Sequence, residues 1–258
     1  MRRIVFIGAG NVASHLAPAM ERSGIGRVEQ VWSRTLSSAE LLCSRLEKAV
    51  PATVIEDIIA DADLYVVSLV DHAVNALIPR FPVNNALWVH TSGSVDMRVF
   101  APLTSRYGVL YPLQTFSRES DVEMARVPVF IEASNEAVAE ELRRIASQLS
   151  PTVHYADGAL RARMHIAAVF ACNFSNYMFT VADDLLRRDG LDLSVLYPLL
   201  EETFRKAANG SPAAGQTGPA VRGDRDIVER HASALPPDLA ALYLSLSDAI
   251  YRRHHRDT

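Results

Sequence analysis

Two glycines close to the amino terminus have the spacing of a turn that binds a dinucleotide. Gly8 and Gly10 follow an apolar run, and Ala13 completes the pattern G-x-G-x-x-A. In such a turn the first glycine permits the bend, the second lets the main chain approach a pyrophosphate, and the small third residue lets the helix pack on the strand. Asn11, Val12 and Ala13 would open that helix and present free N–H groups to the anion. A turn that only connects a strand to a helix has the same pattern.

The end of the second predicted strand, Val28–Trp32, indicates which dinucleotide is bound. An NAD site places Asp or Glu there to accept a hydrogen bond from the ribose 2′-hydroxyl. Here Ser33, Arg34 and Thr35 follow the strand, and an arginine between two hydroxyls suits a 2′-phosphate. We therefore predict NADP (NADPH) as the cofactor. The alternative is that Arg34 is a solvated turn residue.

Two further predicted strands end in residues that we expect to line the cofactor. Open α/β sheets bind ligands at the carboxyl ends of their parallel strands. Leu69 and Val70 lie at the end of a buried run that starts at Leu64, and His90 ends the next strand. Asp71, the residue after Val70, would either lie near the cofactor or serve only as the cap of a helix.

A loop of small residues follows His90 and is a candidate substrate site. Ser92, Gly93 and Ser94 offer hydroxyl and main-chain hydrogen bonds to a carboxylate or an amide near a nicotinamide. The same composition is also typical of an ordinary turn.

A long apolar helix, predicted from Gly158 to about Arg188, carries the candidate acid–base residue. His165, Asn173 and Asn176 lie near one face of it. Because an imidazole titrates near neutral pH, His165 is predicted to give or take a proton, with Asn173 and Ser92 completing the catalytic set. Alternatively, His165 and Asn173 only satisfy buried partners. The helix is apolar enough to be central in a domain or in a subunit interface.

A Gly-, Pro- and Ala-rich loop at residues 210–224 is unusually long for a compact domain, and such loops are often functional. Arg222 within it is a candidate clamp for a substrate carboxylate. It could equally brace the loop.

The order of the elements predicts the fold class. Alternating strands and helices up to Tyr155 indicate an α/β domain, residues 1–156, with a doubly wound, mainly parallel Rossmann sheet. From residue 157 to 258 the pattern contains helices only, which predicts an all-helical domain for substrate binding and homodimer formation.

Composition limits the possible functions. The chain has 258 residues, is 49% hydrophobic and carries a net charge of −4, so it lacks the basic character of a nucleic-acid-binding protein. The first apolar run is too short for a signal peptide or a membrane span. Cys43 and Cys172 both lie in apolar helical patterns, where buried free thiols are expected, as in a reducing cytoplasm. The histidines show no metal-site spacing, and we predict no metal.

Several motifs together resemble one family, the Rossmann-like proteins with a C-terminal helical domain of unknown function, which are regarded as NADP oxidoreductases of the deazaflavin-dependent type. The resemblance covers nearly the whole chain and rests on Gly8–Ala13, Trp32–Thr35, His90–Gly93, Pro112–Phe116, His165–Ala168 with Asn173, and Thr217–Asp224. The family is similar to pyrroline-5-carboxylate reductases and to 3-hydroxyisobutyrate and 6-phosphogluconate dehydrogenases. The resemblance implies the fold and an NADP site.

Two departures limit what the resemblance implies. The family often has His before the Pro-Leu-Gln-Thr-Phe run, where this chain has Tyr111, and the long helix lacks the Lys that related hydroxyacid dehydrogenases use, with His165 nearest in role. We therefore predict hydride transfer to or from a small carbonyl, hydroxy acid or imine substrate. The alternatives are a non-catalytic NADPH-binding sensor or scaffold, and an enzyme whose hydride partner is a deazaflavin.

Overall fold

Two compact units divide the chain. They are Met1–Asn176 and Tyr177–Thr258. The structure is a computed structural model and describes residues 1–255. Within that part, no helix combines the length and the apolar character needed to span a bilayer.

The first unit is built on an eight-stranded sheet in the order β3-β2-β1-β4-β5-β6-β7-β8. All neighbouring strands are parallel except β6 and β7, which are antiparallel. The strands are β1 Arg2–Ile7, β2 Gly26–Trp32, β3 Val50–Ala52, β4 Leu64–Val67, β5 Leu87–His90, β6 Tyr107–Pro112, β7 Val129–Ala133 and β8 Val153–Tyr155. This sheet confirms the predicted doubly wound, mainly parallel Rossmann architecture.

The direction of winding reverses at β1, which pairs with β2 on one side and with β4 on the other. Successive residues of β1 alternate between two cores, because side chains of a strand point to opposite faces. Ile4 and Phe6 belong to one core, whereas Val5 and Ile7 belong to the other. The crevice beside such a reversal is where open α/β sheets bind ligands.

Helices and short helical turns cover both faces of the sheet. The first four α-helices are α1 Asn11–Arg22, α2 Leu36–Cys43, α3 Asp71–Leu77 and α4 Glu136–Leu149. Leu16 of α1 and Leu142 of α4 lie in the core that contains Ile4. Val74 of α3 lies in the opposite core, where the rings of Tyr65 and Trp88 stack at 4.1 Å.

The predicted long helix is present as three consecutive helical segments. They are α5 Gly158–Ala168, a π-helical turn at Val169–Phe174, and α6 Ser175–Arg187. The compact units divide inside this helix, at Asn176, rather than at the predicted boundary after residue 156. Arg161 gives a physical reason, because it pairs with Glu132 of β7 and donates to the Val95 carbonyl oxygen at 2.7 Å. The division at residue 156 stays a prediction.

The second unit is helical throughout its regular elements. It contains α6 from Tyr177 onward, a 3₁₀ turn at Leu193–Leu196, and the helices α7 Tyr197–Asn209, α8 Pro219–Arg222, α9 Arg225–Ser233 and α10 Pro237–His254. The predicted helical character of this part is confirmed. The loop predicted at residues 210–224 contains the short helix α8.

One local prediction, the burial of Cys172, was wrong. The long apolar helix is largely exposed in the single chain, where Arg161 is the buried residue of α5. Cys172 is therefore an exposed thiol and not a buried one. The predicted place of this helix in a subunit interface stays a prediction. Hydrophobicity predicted burial correctly only where neighbouring elements of the same chain supply the partner surface.

Candidate functional site

The glycine turn after β1 has the geometry that its sequence predicts. Gly8 adopts φ +109°, and a Cβ atom there would lie 2.2 Å from the main-chain oxygen of Ser68. Its N–H donates to the Trp32 carbonyl oxygen at 2.8 Å, which fixes the bend. At Gly10 a Cβ would meet no atom within 4 Å. Gly8 is thus required by the fold, whereas Gly10 leaves open space for a ligand.

The start of α1 offers hydrogen-bond donors with no acceptor. Gly10 is the N-cap, and the first hydrogen bond within the helix runs from Ser14 N–H to the Gly10 carbonyl oxygen at 3.0 Å. Among residues 1–255, the N–H groups of Asn11, Val12 and Ala13 find no partner. Together with the positive end of the helix dipole, they form a site for an anion.

A cleft of about 630 Å³ extends from this turn along the carboxyl ends of β1, β2 and β4. It brings together most of the predicted cofactor-binding residues. Its lining includes Gly8, Ala9, Gly10, Ser33, Arg34, Thr35, Leu69, Val70, Arg80 and Arg118. The size suits a small ligand or part of a larger extended one.

The cleft carries positive charge that the protein does not neutralise. Arg80 pairs with Glu56 at 3.1 Å. Neither Arg34 nor Arg118 has a carboxylate partner in the described part of the chain. An anionic ligand would therefore meet two uncompensated guanidinium groups, besides the free N–H groups of α1.

The loop after β6 packs on the start of α1. The Asn11 side chain donates to the Phe116 carbonyl oxygen at 3.0 Å, and His15 Nε2 donates to that of Ser117 at 2.7 Å. Arg118 then donates to the Ala9 carbonyl oxygen at 3.0 Å. Sequence reasoning missed Arg118, because the only signal was that the Pro112–Phe116 run belonged to the family pattern.

A second cluster lies around His165 of α5. Its Nδ1 is 3.2 Å from the hydroxyl oxygen of Tyr111 on β6. A Cβ atom at Gly93 would lie 2.8 Å from Cγ of His165, so the imidazole packs directly on the glycine. Burial raises the pKa of Tyr111, and the charge of Arg161 opposes this effect. The phenol therefore stays protonated, and its hydroxyl can donate to Nδ1 in the tautomer that carries the proton on Nε2.

The loop at residues 92–94 is organised by Asp71, the first residue of α3. Ser92 Oγ donates to Asp71 Oδ1 at 2.7 Å, and Ser94 Oγ donates to Oδ2. Ser92 Oγ also accepts from the N–H groups of Ser94 and Val95, at 3.0 and 3.1 Å. One donor and two acceptor positions exhaust a hydroxyl group. The predicted catalytic and substrate-binding roles of Ser92 stay predictions, and these bonds show that its hydroxyl shapes the loop.

His90 lies just before this loop, and its side chain is fully buried. Its predicted contact with a cofactor stays a prediction. Its Nδ1 accepts from the Ser92 N–H at 3.2 Å. Burial lowers the pKa of His90 to about 3, and the charge of Arg161 adds to the effect. His90 is thus a neutral residue that supports the loop.

Asn173 and Arg222 stay predictions. Asn173 is exposed in the π-helical turn that follows α5. Arg222 lies in the second unit, where its Nε donates to Asp224 Oδ2 at 2.8 Å. That bond supports the loop-bracing alternative and leaves most of the guanidinium donors free.

Comparisons with known proteins point to one family. The profile described as "NADP oxidoreductase coenzyme F420-dependent" matches residues 3–88, and the profile of a domain of unknown function, DUF2520, matches residues 127–250. A search of the curated proteins finds no match. The solved structure of a "putative NADP oxidoreductase" from Bacteroides fragilis is 41% identical, covers 97% of this chain and 98% of its own, and superimposes with a TM-score of 0.92.

More distant structures share the fold. An imine reductase from Streptomyces aurantiacus is 20% identical, with 97% of this chain and 94% of that chain covered and a TM-score of 0.67. A reductive aminase from Aspergillus terreus, solved with NADPH and ethyl-5-oxohexanoate, is 19% identical, with 98% and 87% covered and a TM-score of 0.56. At these identities the likeness concerns architecture alone.

We expect His90 to make the first unit less stable in acid. Its contribution should lower the free energy of unfolding by about 3 kcal/mol between pH 7 and pH 4. The imidazole has a pKa near 6.5 when unfolded and about 3 when folded. Below about pH 6.5 the unfolded chain takes up a proton that the folded chain refuses, so stability falls until the pH approaches 3. Urea unfolding followed by tryptophan fluorescence measures this, because Trp32 and Trp88 both lie in the first unit.

The matched variant for this measurement is His90→Gln, which keeps an acceptor for the Ser92 N–H and does not titrate. Between pH 7 and pH 4 its free energy of unfolding should fall by about 3 kcal/mol less than that of the wild type. The control is His154→Gln, since His154 is exposed on β8. Identical pH dependence in wild type and His90→Gln would contradict the assignment.

Proposed function

Since this chain belongs to the family of NADP oxidoreductases that includes the Bacteroides fragilis protein, we propose that it transfers a hydride between NADPH and a small carbonyl, hydroxy acid or imine substrate. The observation that carries the proposal is the cleft beside β1. There the free N–H groups of α1 lie with two arginines that lack carboxylate partners.

The residues of the cleft fit an NADP molecule in charge and in shape. The open space at Gly10 and the free N–H groups of α1 suit the pyrophosphate. Arg34, with Ser33 and Thr35, suits the 2′-phosphate, which is absent from NAD. When bound, NADPH supplies the hydride. The protein contributes binding, orientation and the proton.

His165 is the residue to which we assign the proton. In the tautomer where the Tyr111 hydroxyl donates to Nδ1, Nε2 carries a proton that can pass to a developing alkoxide or amine. In the opposite direction the same nitrogen accepts a proton. Gly93 and Ser94 provide the neighbouring loop, and Asn173 and Arg222 are the proposed groups for orienting the substrate and holding a carboxylate.

The proposed substrates follow from the chemistry of this pair. Imidazole and phenol groups assist reduction at a carbonyl or imine carbon, where a proton must accompany the hydride. The imine reductase and reductive aminase that share the fold make cyclic imines and ketone–amine mixtures sensible first probes. Because both cysteines are free, we also propose the reducing cytoplasm as the compartment.

We further propose that the helical unit forms a homodimer. Of the apolar side chains at residues 177–255, only Ala220 and Ala232 are buried. Large ones are exposed instead, among them Phe204 at 76%, Leu199 at 60% and Tyr197 at 53%. Exposed apolar area of this kind is typical of a surface that another subunit covers, and a second copy is the commonest partner.

The first test of the cofactor assignment is Arg34→Ala. A hydrogen bond to a charged group contributes about 1.5–3 kcal/mol, so the Kd of NADPH should rise roughly tenfold or more, while that of NADH changes less than about twofold. Isothermal titration calorimetry measures both. Arg98→Ala serves as the control, because Arg98 is exposed outside the cleft. An equal rise of Kd for the two cofactors would contradict the assignment of Arg34 to the 2′-phosphate.

The catalytic assignment is tested by His165→Ala. General acid–base catalysis contributes roughly 10²- to 10⁴-fold, so kcat should fall by that factor while the Kd of NADPH stays the same. Oxidation of NADPH is followed by absorbance with 2-oxoacids, 3-oxoacids and cyclic imines. Tyr111→Phe should cause a smaller loss of kcat, because it removes only the group that orients the imidazole. His154→Ala is the control.

The same measurement separates the alternatives. Tight NADPH binding without turnover of any substrate would favour the sensor or scaffold. Turnover that appears only when a deazaflavin is added would favour that hydride partner. Wild-type kcat in His165→Ala would remove His165 from the mechanism.

The dimer is tested by light scattering after size exclusion. We expect a mass near twice the 28.4 kDa of the chain. Phe204→Glu places a charge on the exposed apolar surface and should raise the dimer dissociation constant at least tenfold. Val83→Glu is the matched control, since Val83 is 75% exposed in the first unit. A wild-type monomer at micromolar concentration would refute the proposal.

A further inference from the structure

The loop after β6 brings one arginine, Arg118, into the cleft from outside the glycine motif. We propose that Arg118 binds the pyrophosphate of the cofactor, together with the N–H groups of α1. This inference rests on the proposed function, because it takes a nicotinamide dinucleotide as the ligand.

The position of Arg118 is the first argument. Its Nη2 donates to the Ala9 carbonyl oxygen at 3.0 Å, in the middle of the glycine turn. It lines the same cleft as Gly8 and Gly10, although it is 109 residues away in sequence from Ala9. A group held at this turn lies where the pyrophosphate binds in Rossmann sheets.

The second argument is that the loop holds Arg118 in place before any ligand binds. Asn11 and His15 donate to the two carbonyl oxygens that precede Arg118, those of Phe116 and Ser117. The rings of His15 and Phe116 lie 5.4 Å apart. On the other side, Ser120 Oγ donates to the Ser117 carbonyl oxygen at 2.8 Å. Ordering a long side chain in advance reduces the entropy lost on binding.

The third argument is the unused hydrogen-bonding capacity. A guanidinium group has five N–H donors, and Arg118 has one recorded hydrogen bond among the described residues. It also has no carboxylate partner there, whereas Arg80, another arginine of the cleft, is neutralised by Glu56. A phosphate can accept two parallel hydrogen bonds from such a group.

The competing explanation is that Arg118 only braces the glycine turn. A brace needs a single hydrogen bond to the Ala9 carbonyl oxygen and no charge. Arg118→Gln keeps a donor of this kind and removes the charge, while Arg118→Ala removes both. The two explanations therefore predict different orders among the variants.

The experiment measures the Kd of four probes by calorimetry. NADPH, NADH and ADP-ribose all contain the pyrophosphate, whereas adenosine 2′-monophosphate carries only the 2′-phosphate. Arg118→Ala and Arg118→Gln should both raise the Kd of the first three probes at least tenfold and leave the Kd of adenosine 2′-monophosphate unchanged. Arg34→Ala should raise the Kd of NADPH and of adenosine 2′-monophosphate and leave the Kd of NADH and ADP-ribose unchanged. Arg98→Ala should change none of them.

A second readout excludes a folding defect. Thermal melts without ligand should be the same for wild type and both Arg118 variants, and the shift of Tm that ADP-ribose induces should be smaller in the variants. Wild-type affinity of Arg118→Ala or Arg118→Gln for ADP-ribose would overturn the proposal. If the wild type itself binds neither NADPH nor ADP-ribose, the proposed function fails, which is a separate result.

Discussion

The unsatisfied N–H groups at the start of α1 are the constraint on which the site depends. Buried or partly buried donors are costly without an acceptor, so an anion from solution or from a ligand is the natural partner. Placing these donors requires β1 to be buried on both faces and Gly8 to approach Ser68 more closely than any Cβ permits. The central strand, the left-handed glycine and the helix dipole therefore serve one purpose, an electropositive opening at the reversal of the sheet.

The distribution of charge on the first unit reinforces this. At the amino ends of the strands, arginines are neutralised by carboxylates: Arg3 pairs with Glu29 and Asp61, and Arg106 pairs with Glu141. At the carboxyl ends, Arg34 and Arg118 line the cleft with no carboxylate in the described chain. Exposed ion pairs contribute little to stability, so the pairing matters less than where the unpaired charge is left. Positive charge stays available at the end of the sheet where the cleft lies.

The sequence predicted the features that depend on neighbouring residues. The turn at Gly8, the helix after it and the strand before Arg34 all follow from local spacing and periodicity, and the structure contains each of them. The pair of Tyr111 and His165 is 54 residues apart, and Arg118 reaches a turn 109 residues away, so no local pattern indicates either contact. The sequence shows that a hydroxyl group is present at Ser92, but only the fold shows which hydrogen bonds that hydroxyl makes.

Within the first unit, a continuous set of contacts joins the cleft to the cluster around His165. Val70 lines the cleft, and the next residue, Asp71, fixes the hydroxyls of Ser92 and Ser94. The glycine between these serines leaves room for the His165 ring. Because each contact either consumes the donors of a hydroxyl or depends on the absence of a Cβ, the loop has little freedom to adopt another arrangement. The segment after β4 therefore contributes Val70 to the cleft and, through Asp71, also fixes the loop against which the imidazole packs.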